Sequence, residues 1–211
     1  MSLCHRQVAL RHFAKERIGT LDNARSDTAF LLDRERIRDA LCRFARGVDR
    51  RDWELVRSTY HADAWDDHGD YKGGVDGFIE WVSRRHAAID RSMHFLGNCL
   101  IEFFGPDRAF VETYFSNSQR MGPAASESLK MLLGGGAADP QAAIEIKMLG
   151  RYVDLFERRS REWKTARRIV VFESINAAPF VGMAENPSWA WTRRDREDAV
   201  YSMRADIAAL S

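Results

Sequence analysis

The sequence predicts an α+β fold: helices first, then a mostly antiparallel sheet. Apolar residues recur with a period near 3.6 up to about residue 86, and with a period near 2 between residues 93 and 175. The strand-like segments follow one another through turn signals and do not alternate with helices, which favours antiparallel over parallel pairing. Charge is nearly balanced, 32 Lys and Arg against 31 Asp and Glu in 211 residues. Such a chain has no general field to hold nucleic acid or an anionic membrane.

Residues 1–30 mix Arg, His and Lys with scattered apolar positions such as Val8, Leu10 and Phe13, and read as an arm outside the core. From Asp33, the expected N-cap, Ile37, Leu41, Phe44 and Val48 fall on one helical face. Asp52 is placed to cap a second short helix carrying Trp53, Leu55, Val56 and Tyr60, and a third after Asp76 carries Phe78, Ile79, Trp81 and Val82. Strands are expected at 93–104, 109–119, 144–157 and 163–175, with Gly105, Pro106 and Asp107 turning the chain between the first two. Residues 122–141 set Met131, Leu132 and Leu133 beside Gly134, Gly135 and Gly136, which suits either a lid over an apolar ligand or an insertion. Beyond Pro179 the chain turns irregular until Ala199, Val200, Met203, Ile207 and Leu210 mark a C-terminal amphipathic helix. The expected organisation is an arm at 1–30, one domain at 31–178 and an extension at 179–211.

Three cysteines, Cys4, Cys42 and Cys99, are odd in number and widely spaced, so neither a disulfide framework nor a zinc knuckle is expected. No stretch reaches the ~20 apolar residues of a membrane span, and the first residues lack a secretory h-region. A cytoplasmic location is the expectation.

Two residues stand out chemically. Asp49 lies just past the last apolar position of the first helix, and because Asp52 is better placed to cap the next one, Asp49 is free for another task; a solvated turn carboxylate is the plain alternative. His94 lies inside a strand whose alternation puts Leu96, Asn98, Leu100 and Glu102 on its own face and Met93, Phe95, Gly97, Cys99 and Ile101 on the other. If the second face packs on the helices, His94 and Asn98 look the opposite way, into a cavity of a curved sheet. A hydrogen-bonded structural histidine is the alternative.

The run VDRRDWELVRSTYHADA, then YKG, then MHFLGN and GRYVDLFERRSREWKTARRIVV resembles the SnoaL-like branch of the nuclear transport factor 2-like superfamily over about residues 30–176. Scytalone dehydratase and hexachlorocyclohexane dehydrochlorinase are its catalytic members with this arrangement. The resemblance implies a cone-shaped α+β barrel in which a curved sheet and the N-terminal helices enclose a pocket. It also implies a cofactor-free elimination with His94 as base and Asp49 as its hydrogen-bonded partner. Arg168 falls where the dehydrochlorinase has a substrate-binding arginine, although a structural salt bridge fits that residue equally. His68 stands where scytalone dehydratase has a pocket tyrosine, and Gln119 where it has a second histidine, so that enzyme's own substrate is not expected.

The expected function is a cofactor-independent lyase or isomerase acting on a hydrophobic cyclic small molecule. Asp49 and His94 are its catalytic pair, and His68, Asn98, Arg168, Trp65 and Tyr60 its binding residues. No metal site is expected, because the acids and histidines of HADAWDDHGD alternate between faces and cannot all converge, and no cofactor is expected, because an Asp–His base requires none. A non-catalytic binding or assembly protein of the same fold and a polyketide-cyclase-like enzyme are the rival readings. Strands apolar on both faces need cover on both, so a dimer or trimer is expected.

Overall fold

The computed structural model describes residues 27–122 and 143–210. In chain order these form α1 (Asp27–Arg50), α2 (Trp53–Ser58), β1 (Tyr60–Asp67), β2 (Lys72–Gly74) and α3 (Val75–His86). The sheet continues with β3 (Ile89–Phe103), β4 (Arg108–Met121), β5 (Ile144–Arg159) and β6 (Glu162–Pro179), and α4 (Ala199–Ala208) ends the chain. The six strands lie in the order β2-β1-β6-β5-β4-β3. Every pairing is antiparallel except β1 with β6. The sheet curves without closing, so the cone is open along the β2 and β3 edges.

Two helix starts differ from expectation. α1 begins at Asp27, and Asp33 lies within it, buried and bonded to Arg36 at 3.1 Å and Arg158 at 3.3 Å. Gly74 takes the cap position of α3, leaving Asp76 in its first turn, where a carboxylate suits the helix's positive end. Asp52 does cap α2, accepting from the Leu55 N–H at 3.2 Å. Tyr60 opens β1 instead of closing that helix, and residues 123–141 of the segment expected to be a lid lie outside the described residues. α4 forms where its pattern predicts, but none of its residues is buried.

The apolar stripe of α1 spans two packed clusters. Ile37, Ala40 and Leu41 meet Ile101, Val111, Phe156 and Trp163, while Phe44 and Val48 meet Val56, Tyr60, Phe78, Phe115 and Tyr152. The helices therefore cover one face of the sheet, called here the inner face. On β4 and β5 this face is a clean alternation, Ala109, Val111, Thr113, Phe115, Asn117, Gln119 and Met121 on one strand and Ile144 through Phe156 at every second position on the other.

β3 breaks that alternation. Leu96 pairs with Phe115 but Cys99 pairs with Thr113, so residues 97 and 98 together oppose Tyr114 as a β-bulge. From Cys99 onward, Cys99, Ile101 and Phe103 point inward; before the bulge, Ser92, His94 and Leu96 do. Without the extra residue His94 would stand opposite Ser118, on the outer face. With it, His94 stands opposite Asn117, on the inner face. Uninterrupted alternation is thus corrected in one respect: the face with Ile101 does pack on the helices, and His94 shares it. β6 has similar irregularities, beside the Leu155 and Leu149 pairings.

Candidate functional site

Asp49 is next to last in α1, where the helix ends against the start of β3. Its Oδ1 accepts from the His94 ring Nδ1–H at 2.7 Å and from the Ser92 hydroxyl at 2.8 Å, and its Oδ2 accepts from the His94 backbone N–H at 2.8 Å. Ring and backbone of one residue thus grip both carboxylate oxygens. Burial is the largest single influence on Asp49 and pushes its carboxyl up; the charge of His94 and these hydrogen bonds together outweigh it and hold the group below the usual carboxylate range. Both side chains are buried, about a tenth exposed.

The second imidazole nitrogen also has a neighbour. Asn117 Nδ2 donates to His94 Nε2 at 2.6 Å, as the amide is oriented. Asn117 Oδ1 is buried with no partner, as is Gln119 Oε1 two residues along the same face. Phe115 closes the corner, its ring centroid 6.5 Å from that of His94.

The second polar group on the inner face is built around Arg168. Its Nε and Nη2 donate to Asp154 at 2.8 and 2.7 Å, and its Nη1 to the Tyr60 hydroxyl at 3.3 Å. The guanidinium carbon lies 4.2 Å from the ring centres of both Phe44 and Tyr152. Burial drives Arg168 toward losing its proton, but the Asp154 charge outweighs it and keeps the guanidinium above its ordinary range. Burial likewise raises the Asp154 carboxyl against the pull of Arg168. The doubly bonded fork decides between these opposed directions, so both groups stay charged at neutral pH.

Tyr60 in turn donates to Asp66 Oδ2 at 2.7 Å, and Asp66 Oδ1 receives a close contact from His68 Nδ1. The His68 ring stacks on Phe78 at 4.6 Å between centroids. His68 and His94 therefore border one apolar cluster, which holds Phe44, Phe78 and Phe115.

The structure brings Asp49 and His94 together, and Tyr60, His68 and Arg168 into one network. It separates two expected members from them. Asn98 sits in the bulge, exposed, because the register change moves it off the face of His94. Trp65 lies on the outer face under the Arg167 guanidinium at 5.2 Å, because alternation sends it opposite to Asp66. Asn117 replaces Asn98 beside His94. Finding it from sequence would have required the bulge, since an unbroken hairpin presents Ser118.

The run HADAWDDHGD disperses: His61 Nε2 donates to the Glu157 carbonyl at 2.9 Å, Asp63 pairs with Arg159 at 2.5 Å, and Lys72 takes Asp67 at 3.0 Å. Among the described residues no group of three or more His, Cys, Asp or Glu could hold a metal ion. A depression of about 590 Å³ lined by Phe104, Phe110, Leu155, Arg167 and Ile169 lies on the outer face, away from His94. Among the described residues no helix is long and apolar enough to cross a membrane.

The model of the SnoaL-like domain family matches residues 29–169. Among solved structures, hexachlorocyclohexane dehydrochlorinase LinA-type3 from Novosphingobium barchaimii LL02 is similar at 20% identity and a TM-score of 0.59, covering 77% of this chain and 99% of its own. A candidate scytalone dehydratase from Novosphingobium aromaticivorans DSM 12444 is similar at 15% identity and a TM-score of 0.58, over 77% of this chain and 97% of its own. A single-residue variant of Rv3472 of Mycobacterium tuberculosis, a protein of unknown function, is similar at 17% identity and a TM-score of 0.54, over 88% and 93%. No curated protein sequence matches. Identities this low carry the fold and nothing finer.

Proposed function

Since the chain belongs to the SnoaL-like domain family, with its nuclear transport factor 2-like cone, we propose that it is a cofactor-independent lyase or isomerase acting on a hydrophobic cyclic small molecule. One observation supports this above the rest: the His94 Nδ1–H is held at 2.7 Å by a buried carboxylate kept in its ionised form. An imidazole so held presents Nε2 as the basic nitrogen, and the carboxylate stabilises the imidazolium that forms.

In the proposed step Nε2 takes a proton from a carbon beside an activating group. The C–H electron pair becomes a carbon–carbon double bond, and a hydroxide or halide leaves with its own bonding pair; in isomerisation the double bond shifts instead. The Asn117 amide must first yield Nε2 to the substrate. Turned over, it offers its unpartnered Oδ1 to the newly formed Nε2–H, so one residue serves both protonation states. His68, bordering the same apolar cluster, is the proposed donor to the leaving group. Arg168 holds the inner face together, since all three of its nitrogens donate within the protein and the Phe44 and Tyr152 rings pack against its guanidinium.

A chlorinated cyclohexane and a cyclic β-hydroxy ketone make the first test, with chloride or water loss followed by NMR for the parent protein, H94A and D49N. Loss of turnover in H94A and a strong reduction in D49N are expected. Full activity in H94A would overturn the reading. The non-catalytic binding protein keeps one observation in its favour, the Asn117 amide already on Nε2. Tight binding of the panel with no turnover would select it.

A second copy of the chain is the proposed cover for the outer face, where Met93 and Phe95 are about two-thirds exposed and Leu100 and Leu149 about half.

A further inference from the structure

The extension beyond β6 lies outside the matched family domain, yet it returns to the Asp49 corner. Arg194, buried, donates from Nε to the Asp49 carbonyl at 2.9 Å, from Nη2 to the Val48 carbonyl at 2.9 Å and from Nη1 to the Ile89 carbonyl at 2.7 Å. Nη2 also meets His86 Nδ1 at 2.6 Å. Val48 and Asp49 lie in the last turn of α1, whose carbonyls have no intrahelical donor to receive. Ile89 opens β3, the strand that carries Ser92 and His94. One planar fork therefore joins the end of the helix holding Asp49 to the start of the strand holding His94.

Neighbouring contacts concentrate on the same turn. Asp198 pairs with Arg50 at 3.1 Å, Arg196 pairs with Asp52 at 3.1 Å, and the Tyr201 hydroxyl donates to Asp52 at 3.0 Å. Arg51, in the left-handed region at φ 54°, adds a second donor to the Ile89 carbonyl at 2.6 Å. All four acceptors of Arg194 are neutral, His86 included, because burial and then the charges of Arg194 and Arg85 keep that imidazole unprotonated. Burial and the nearby Arg51 lower Arg194 to about 10, which leaves it charged at neutral pH. A buried cation whose hydrogen-bond partners are all neutral is an expensive way to gain stability alone. Its geometry, by contrast, suits holding two elements in register, because the fork directs its donors along fixed lines.

We propose that Arg194 is a positioning residue for the Asp49–His94 pair, setting the end of α1 and the start of β3 where the Asp49 carboxylate receives both the ring and the backbone N–H of His94. The proposal rests on the reading of that pair as the reactive centre. It makes the extension part of the site, although the residue lies 145 positions from Asp49 in the chain.

The test uses full-length protein labelled with ¹⁵N-histidine, with the His94 signals assigned by their loss in H94A. Arg194→Lys keeps the charge but replaces the fork with a compact ammonium, and Arg194→Ala removes both. In either folded variant the hydrogen-bonded Nδ1–H signal of His94 should weaken or vanish while the His61 and His68 signals hold. With a substrate in hand, kcat should fall about 10²-fold, as for a displaced reactive group, with KM little changed. A folded R194K or R194A with the parent His94 signal overturns the proposal. So does failure of both variants to fold, which assigns Arg194 to stability alone. If instead H94A keeps full turnover while R194K alters the His94 signal, the catalytic reading fails and the positioning stands.

Discussion

Two aspartate-centred pairs stand on the same inner face, and they differ in what they leave over. Asp154 and Arg168 consume each other: both carboxylate oxygens are bonded, the third guanidinium nitrogen reaches Tyr60, and the Phe44 and Tyr152 rings pack against the cation. At the other pair, Asp49 takes one nitrogen of His94, and only a neutral amide with its own oxygen unpartnered attends the second. Residue type does not tell a structural pair from a reactive one. The valence remaining after the protein's own contacts is what supports the proposed role of the second pair.

Perturbing the saturated pair gives the largest expected effect on folding. Arg168→Ala leaves Asp154 buried and unpaired and should lower stability by about 3–5 kcal/mol, read from urea unfolding. Arg168→Met combined with Asp154→Leu should regain most of that loss; a double variant as unstable as the single one would show that the pair contributes more than mutual compensation.

Asp49→Asn comes next, at about 1–3 kcal/mol for hydrogen bonds to a charged group. Its signature is in acid. The Asp49 carboxyl lies below its ordinary value of 3.8, so its contribution is present above that value and declines as pH falls through the lower folded one. Unfolding midpoints for D49N should therefore vary less with pH in this acid range than those of the parent. Identical acid profiles would mean that the carboxylate is not held as described.

His94→Gln inverts the comparison. It should change stability by less than Asp49→Asn does, about 1 kcal/mol, because the Gln amide can still donate to the Asp49 carboxylate, while loss of the proposed general base should cost about 10²–10⁴-fold in turnover, as is typical of such groups. The smallest effect on the folded chain belongs to Met93→Glu with Phe95→Glu on the outer face. Exposed changes of this kind shift stability within about 0.5 kcal/mol, yet light scattering should show the mass falling to that of one chain. An unchanged mass would remove the second copy from that face.

The three helices, the four long strands and the stripe on α1 are legible in the sequence because each depends on local hydrophobic period, and the Asp49 and His94 candidates are legible through residue chemistry together with the family resemblance; the expected order of helices first and sheet after is broken by β1 and β2, which precede α3. The four long strands fall within a few residues of their expected ends. The faces of β3 are not legible. Period-2 reading carries no information about a bulge, which depends on how β3 pairs with β4, and that one extra residue exchanges Asn98 for Asn117 beside His94. Trp65 falls outside the site for a different reason: alternation along β1 sends it to the face opposite Asp66, and only the packed sheet decides which of those faces is the inner one.

Local pattern is thus enough for the class of fold and the buried face of α1, and the family resemblance adds the two side chains that meet at its end. Folding in three dimensions adds which way His94 points, which amide attends it, and the return of Arg194 to the carbonyls of Val48, Asp49 and Ile89. The reason is physical: burial tendency is a property of each residue and its near neighbours, whereas register and the capture of backbone carbonyls belong to pairs of segments that meet only when the chain has folded.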